Sequence, residues 1–189
     1  MKVAILILFL LSVGCEDFFS LRDVELPSSA GGSAWNELLD PEDVLENFKI
    51  SIGRRDANMY LCMFENGVEG RYIFDADEQT KQKQPRLMEW GYSQESDFIN
   101  NLFSYLPFDS MAHIEFQIEM SVIQDKQTEY GLSYFLQANH TISDVPQIAS
   151  GYATLNLRRS DDDIWKIHYW RDERTNDGIA TWSEIKAGF

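Results

Sequence analysis

Basic residues are scarce in this sequence, and their scarcity limits the partners that the chain can bind. The 189 residues contain 16 Lys and Arg against 31 Asp and Glu, which gives a formal net charge of −15 at pH 7. Because a nucleic-acid backbone is itself a polyanion, we expect no nucleic-acid partner. Long-range attraction to anionic lipid headgroups is disfavoured for the same reason.

Cysteine and recognisable catalytic motifs are also scarce. Two cysteines, Cys15 and Cys62, cannot build a disulfide-rich scaffold. The three histidines, His113, His140 and His168, are too scattered for a helical zinc motif. The sequence contains neither a nucleophile elbow nor a phosphate-binding loop. We therefore expect no metal and no cofactor, and the common hydrolases and nucleotide-dependent enzymes have no support.

Long apolar runs are confined to the start of the chain. Lys2 supplies one positive charge, residues 3–11 are apolar, and small residues lead to Cys15. This order is typical of a secretory signal. The apolar run is shorter than the roughly 20 residues of a membrane-spanning helix. We therefore interpret residues 1–14 as a signal peptide rather than a retained transmembrane anchor.

Cys15 lies where the signal would be cut, and the segment resembles a bacterial lipoprotein signal. In such signals the cysteine becomes the lipidated first residue, which carries palmitate and anchors the protein in the membrane of the cell envelope. Leu11 lies one place too far from the cysteine for the usual pattern, and Ser12 occupies the usual leucine position. A plain signal peptide with an incidental cysteine is the alternative. Glu16, in place of the aspartate that favours inner-membrane retention, points to the outer membrane.

The rest of the chain divides into a linker and one domain. Residues 15–40 are interpreted as the lipidated cysteine followed by a flexible tether, because residues 27–33 are rich in Ser and Gly and lack an apolar period. Residues 41–189 are interpreted as the domain. Cys62 lies in an apolar stretch, so we expect its side chain to be buried.

Apolar periodicity in residues 41–189 predicts helices first and strands afterwards. Asp40 and Pro41 predict the start of a helix, a shorter helix is expected over 57–64, and a third is expected within 87–106. A short strand is expected at 71–74, and a polar loop at 76–84. Residues 114–122, 130–138, 151–159 and 164–171 predict four long antiparallel strands. This segregation is typical of the α+β class.

Five stretches resemble the nuclear-transport-factor-2-like family, which includes ketosteroid isomerases and the SnoaL-like cyclases. Residues 41–48 and 54–56 resemble the opening helix and its end, whereas 157–159 and 165–172 resemble the last two strands. Residues 181–186 resemble the tail of lipid-anchored bacterial members. The resemblance implies a cone-like curved antiparallel sheet wrapped around about three N-terminal helices. It also implies an interior pocket, which could hold a small apolar ligand, and pairing into homodimers through sheet faces.

Four residues are weak candidates for chemistry. Isomerases of this family use a carboxylate base and an oxyanion site that includes a tyrosine. Asp75 follows a predicted strand, Glu89 precedes Trp90, and Tyr134 lies on a long strand. His168 would share a face with Lys166 and Trp170 if its strand were regular, and a solvated strand face is the alternative. No spacing joins these residues into a catalytic set.

Three functions are consistent with these observations. The first is an exported lipoprotein that binds a small ligand or an envelope protein without catalysis. The second is an isomerase or cyclase with an Asp or Glu general base in the cone. The third is a structural dimer module. A carboxylate buried beside an apolar cavity would favour the second function.

Overall fold

Helices precede the long strands along the chain, and one short helix follows them. The computed structural model describes residues 35–67 and 70–189. The elements in chain order are α1 (Pro41–Arg54), α2 (Ala57–Leu61), β1 (Ile73–Asp75), α3 (Glu78–Lys83), a 3₁₀ helix (Pro85–Glu89), α4 (Tyr92–Ser104), β2 (Ala112–Ile123), β3 (Gln127–Ala138), β4 (Ile148–Arg159), β5 (Trp165–Glu173) and α5 (Trp182–Lys186). The α+β class predicted from the sequence is confirmed. No helix in these two ranges is long and apolar enough to span a bilayer.

The five strands form one curved, unclosed sheet in the order β1-β5-β4-β3-β2. The four long strands pair antiparallel as predicted, whereas β1 pairs parallel with β5, so the sheet is mixed. Two β-bulges interrupt the pairing, one between Ile118 and Met120 and one opposite Asn156 and Leu157. Bulges bend a strand and increase its local twist, which gives the sheet a concave side for the helices.

The core lies between the concave side of the sheet and the helices. In α1 the apolar positions at helical spacing are buried, as the periodicity predicts; they are Val44, Leu45, Phe48 and Ile52. In β3 and β4 the alternating residues predicted for one face are buried; they are Tyr130, Leu132, Tyr134, Leu136, Ala138, Ala153, Leu155 and Leu157. The predicted start of α1 is also confirmed, with Asp40 as N-cap and Pro41 as the first helical residue. Local pattern therefore determined which faces of these elements are buried.

Three expectations about local structure are wrong. The polar segment 76–84 contains α3, which begins where the Asp77 carboxylate accepts a hydrogen bond from the N–H of Gln79 at 3.1 Å. Cys62 is exposed, because the short helix α2 ends at Leu61 and turns its C-cap residue outwards. The alternation in β2 predicts a buried face along its whole length, but Ile118, Met120 and Val122 are 49%, 42% and 46% exposed. The bulge shifts the register of Met120 and Val122, whereas Ile118 precedes it and still pairs with Leu132.

Ordered packing begins ahead of Pro41. Leu38 is buried in the core, and its carbonyl oxygen accepts a hydrogen bond from the N–H of Trp165 at 2.8 Å. The N–H of Asn36 donates to Asn47 Oδ1 at 3.0 Å. The described part of the range assigned to the tether therefore contacts the domain, so deleting residues 35–40 is expected to remove core contacts.

Gly151 offers a test of the packing on the concave side of the sheet. A Cβ at Gly151 would lie 2.7 Å from Tyr134 Oη and 2.7 Å from the carbonyl oxygen of Glu173. We expect Gly151→Ala to lower the free energy of unfolding by about 1–3 kcal/mol, because a well-packed interior does not accept an added methyl group. Gly53→Ala is the matched control, since nothing lies within 4 Å of its Cβ position. There, in α1, the change is expected to stabilise the domain by about 0.5–1 kcal/mol. If urea unfolding showed that both substitutions change the free energy of unfolding in the same direction, this account would be contradicted.

Candidate functional site

A fully buried carboxylate, Glu95, occupies the inner face of α4. It lies one helical turn before Phe98 and Ile99, so the same face that packs the core carries the charge into it. Glu95 Oε1 accepts a hydrogen bond from Tyr60 Oη at 2.6 Å. Glu95 Oε2 accepts hydrogen bonds from Tyr72 Oη at 3.0 Å and from the indole N–H of Trp90 at 2.8 Å. Two tyrosines and a tryptophan thus surround one carboxylate.

The partner of this carboxylate is Lys186, from the last turn of α5. Its Nζ lies 2.6 Å from Glu95 Oε2, and both side chains are completely buried. The same Nζ lies 3.6 Å from the ring centre of Phe74 and 4.5 Å from that of Trp170. Aromatic faces attract a cation most strongly when water is excluded. Burial lowers the pKa of Lys186 to about 8, although the Glu95 carboxylate acts in the opposite direction.

A second buried carboxylate, Asp172, lies on the inward face of β5. Tyr134 Oη donates to Asp172 Oδ1 at 2.6 Å and accepts a hydrogen bond from the N–H of Trp182 at 2.8 Å. The N–H and Oγ of Ser183 both donate to Asp172 Oδ2, at 2.7 and 2.5 Å. Burial raises the pKa of Asp172, and these hydrogen bonds oppose the rise. Asp172 therefore binds the start of α5 to the sheet.

Asp77 extends this network to the loop that precedes α5. Its N–H donates to Ser183 Oγ at 2.9 Å, and its Oδ2 accepts from Thr181 Oγ1 at 3.1 Å. Arg174 lies 3.5 Å from the same oxygen. Burial disfavours ionisation of Asp77, but the hydrogen bond from Thr80 and the charge of Arg174 outweigh burial and lower its pKa. Asp77 is thus held as an anion with its oxygens engaged.

Aromatic rings fill the interior of the cone, so Glu95 and Asp172 do not face an open cavity. The ring centres of Trp170 and Trp182 are 4.9 Å apart, and Phe48 lies 5.6 and 5.7 Å from them. Because Glu95 and Asp172 are engaged by donors from the protein itself, they are poorly placed to take a proton from a substrate. The arrangement fastens α5 inside the domain. In residues 35–67 and 70–189, no three His, Cys, Asp or Glu side chains are grouped to hold a metal ion.

The carboxylates proposed as weak catalytic candidates lie outside this interior. Glu89 is exposed at the end of the 3₁₀ helix. The Asp75 side chain is one third exposed, at 33%, and accepts hydrogen bonds from Lys81 Nζ at 2.7 Å and Tyr169 Oη at 2.9 Å. Burial disfavours its ionisation, but these hydrogen bonds outweigh burial and lower the pKa of Asp75. A general base in an apolar pocket requires the opposite shift.

His168 and Tyr134 point to opposite sides of the sheet. His168 is the extra residue of the β5 bulge, so the strand is not regular there and His168 does not share the buried face of Trp170. Its Nδ1 lies 3.0 Å from Glu65 Oε2, and its Nε2 lies 3.2 Å from Arg158 Nη2. Within the described ranges, no hydrogen bond or ion pair joins any two of the candidates Asp75, Glu89, Tyr134 and His168. Cys15 lies outside these ranges.

Solved structures of other proteins share this architecture. A conserved protein from Planctomyces limnophilus matches with a TM-score of 0.54 at 10% identity, over 71% of this chain and 93% of that chain. A Bdellovibrio bacteriovorus protein matches with a TM-score of 0.52 at 14% identity, over 73% of this chain and 40% of that chain. An NTF-2-like protein of unknown function from Shewanella oneidensis has a TM-score of 0.48 at 15% identity, over 71% of this chain and 99% of that chain. By its early helices and its curved sheet with four long antiparallel strands, this is a nuclear-transport-factor-2-like fold.

The predicted family resemblance is therefore confirmed at the level of the fold. No family model matches the sequence, and no curated protein matches it. A nuclear-transport-factor-2-like fold by itself does not assign an activity, because folds of this kind carry unrelated functions. The function must be argued from the side chains of this chain.

Of the buried network, sequence reasoning named only Tyr134 and missed the charged residues, although the positions of Glu95 and Asp172 carried a signal. Glu95 recurs with Phe98, Ile99 and Leu102 at helical spacing, so its carboxylate had to lie on an apolar face of this nuclear-transport-factor-2-like domain. Asp172 follows Trp170 at the spacing of two that places both on one face of a strand. Natural proteins keep a charged side chain in the core only when it is paired. The charges at these core positions therefore indicated a buried partner for each.

The titration of this network predicts how stability varies at alkaline pH. Burial, reinforced by Glu95, raises the pKa of Tyr60 and Tyr72 well above its usual value, and burial does the same for Tyr134. Above about pH 10 the unfolded chain loses tyrosine protons that the folded chain retains, so stability falls. Lys186 acts oppositely. Between its folded pKa of about 8 and its unfolded value of about 10.4, the unfolded chain binds the extra proton, so stability rises.

We therefore expect the stability of the nuclear-transport-factor-2-like domain to rise from pH 8 towards pH 10 and to fall above it. Urea unfolding at a series of pH values measures this curve. The double variant Glu95→Gln/Lys186→Met serves as the control, because it lacks the titrating lysine but keeps the three tyrosines. The rise should disappear in this variant while the fall remains. A rise of equal size in both proteins would contradict the assignment to Lys186.

Proposed function

We propose that this protein is an exported, lipid-anchored binding protein of the bacterial cell envelope, and that its nuclear-transport-factor-2-like domain binds its ligand or protein partner without catalysis. The observation that carries the proposal is the occupation of the cone interior by α5. The Trp182 side chain fills the space in which a substrate would otherwise contact Glu95 or Asp172. The ammonium group of Lys186 neutralises the charge of the Glu95 carboxylate. Binding is therefore assigned to the outer surface of the domain.

The proposed anchor is supported by the start of the sequence. One basic residue, a short apolar run and small residues precede Cys15, which is the order expected for a lipoprotein signal. A single acyl chain holds a protein only weakly, whereas two or more acyl chains hold it stably. Glu16 after the cysteine favours the outer membrane as the site of attachment.

Fractionation of cells that express the full chain tests the anchor. We expect the wild-type protein in the detergent-soluble membrane fraction, and we expect Cys15→Ser to release it or to leave it unprocessed. Cys62→Ser is the matched control, because Cys62 is exposed but lies in the folded domain. It should remain with the membrane. If Cys15→Ser partitioned as wild type, the lipid anchor would be refuted.

A structural dimer module is the second candidate function, because β2 leaves apolar side chains exposed at the edge of the sheet. They include Met120 and Val122, beside a row of backbone groups that pair with no further strand of residues 35–67 and 70–189. An exposed apolar edge strand readily pairs with another chain. Light scattering of the Cys15→Ser chain decides this candidate. A dimer that Val122→Lys converts to a monomer supports it, and a monomer at high concentration removes it.

A further inference from the structure

A cleft on the outer side of the domain is lined by more cationic than acidic side chains, although the chain as a whole is strongly acidic. It has a volume of about 740 Å³ and lies among the β2–β3 turn, the β4–β5 turn, residues 65–67 and Gly70. Its lining includes four cationic residues, Lys126, Arg158, Arg159 and Lys166, and three acidic residues, Glu65, Asp161 and Asp162. Its volume is in the range of small-molecule sites.

The guanidinium of Arg158 is held in place from two sides. Because an arginine can only donate, His168 Nε2 accepts the contact of 3.2 Å from Arg158 Nη2. The other ring nitrogen, Nδ1, then carries the proton and donates to Glu65 Oε2 at 3.0 Å. Glu65 Oε1 lies 3.7 Å from Arg158 Nη1. Glu65 and His168 thus orient Arg158 and leave further N–H groups of its fork available.

The backbone at Gly70 packs directly against Glu65 and Arg158. A Cβ at Gly70 would lie 2.0 Å from Glu65 Oε2 and 3.1 Å from Arg158 Nη1, so a side chain at that position would displace the carboxylate. The close approach confines the Glu65 and Arg158 side chains. A confined guanidinium loses little conformational freedom when it binds a ligand, which favours affinity.

Lys166 provides a second cation next to Arg158. The two residues are directly opposite each other on β5 and β4, where like charges destabilise a sheet. The other lysine of the cleft, Lys126, lies 3.5 Å from Asp161, and Arg159 lies 3.4 Å from Asp163. Lys166, in contrast, makes no ion pair or hydrogen bond with any residue of 35–67 or 70–189. An anion placed between Lys166 and Arg158 would relieve their repulsion.

We propose that this cleft binds a soluble small molecule that bears a phosphate or a carboxylate, with Lys166 and the Arg158 fork as the groups that contact the anion. Arginine forks bind both kinds of oxyanion through paired hydrogen bonds. Glu65 and His168 are positioning residues. An anionic membrane surface is not the ligand, because the net charge of −15 opposes its approach. The proposal deepens the proposed binding role by naming a ligand class, and it does not depend on the lipid anchor.

Isothermal titration calorimetry on the full chain, with inorganic phosphate and succinate as probes, tests the cleft. We expect saturable binding of at least one probe by the wild-type protein. Lys166→Gln should weaken it roughly tenfold or more, since a hydrogen bond to a charged group is lost. Lys49→Gln is the matched control, because Lys49 pairs with Glu46 on the surface of α1. It should bind as wild type.

The role of His168 is tested by a pair of variants. His168→Phe removes the acceptor for Arg158 and should weaken binding, whereas His168→Gln retains an acceptor and should restore most of it. Failure of the wild-type chain to bind either probe, or equal binding by Lys166→Gln and wild type, overturns the cleft proposal. Neither result changes the fractionation of Cys15→Ser, so failure of the cleft and failure of the anchored role are distinguished.

Discussion

Replacing Lys186 with alanine is expected to lower the free energy of unfolding by about 3–5 kcal/mol, because the change leaves the Glu95 carboxylate buried without its counter-ion. The aromatic contacts of the ammonium group with Phe74 and Trp170 are lost as well. Urea unfolding followed by tryptophan fluorescence measures the effect. The variant should also release α5, since Lys186 fastens its last turn to α4.

Lys83→Ala is the control for this experiment, because Lys83 is an exposed lysine in the last turn of α3. It should change stability by no more than about 0.5 kcal/mol. The double variant Glu95→Gln/Lys186→Met should be more stable than Lys186→Ala, since no unpaired charge is then buried. If Lys186→Ala behaved like Lys83→Ala, the ion pair would have no structural importance and the account of the filled cone would be wrong.

Trp182→Ala is expected to have an effect of similar size, about 3–5 kcal/mol, because a fully buried indole would be replaced by a cavity. The ring lies 4.9 Å from Trp170, 5.7 Å from Phe48 and 6.0 Å from Tyr134, so three aromatic partners lose contacts together. The cavity would lie in the cone interior. We therefore expect the variant to bind an apolar dye that the wild-type domain excludes.

The matched control for Trp182→Ala is Phe108→Ala, which removes an aromatic ring that is fully exposed. Stability should be unaffected there, because burial rather than aromatic character determines the loss. Dye binding by wild type equal to that of Trp182→Ala would show that the cone is already open. In that case Glu95 and Asp172 would be accessible to a ligand in the cone interior.

Residues whose environment follows from a local period could be predicted. The apolar stripe of α1 around Phe48 and the alternation of Leu132 and Leu155 in the long strands appear in the sequence, and each pattern alone determines a buried face. The prediction failed where a single residue interrupts the period. The bulge after Ile118 exposes Met120. His168 is the extra residue of the second bulge and therefore does not lie on the same face of β5 as Trp170. A bulge leaves no reliable trace in one sequence.

The candidate sites required contacts between distant parts of the chain. Lys186 meets Glu95 across 91 residues, Glu65 meets His168 across 103, and Tyr134 meets Asp172 across 38. The spacing along the chain contains no information about such pairs. The sequence analysis therefore missed Glu95, Lys186 and Asp172, and within the described residues no hydrogen bond or ion pair joins the four proposed catalytic candidates to one another.

The sequence by itself determined the α+β class, the family resemblance, the burial of α1 and the two central strands, and the expectation of an exported chain modified at Cys15. Tertiary structure alone decided that α5 fills the cone and that Arg158 and Lys166 share an outer cleft. The physical reason is that periodicity reports how each element meets the core, whereas ion pairs and clefts depend on which elements become neighbours. That arrangement is determined by sheet order and by the two bulges.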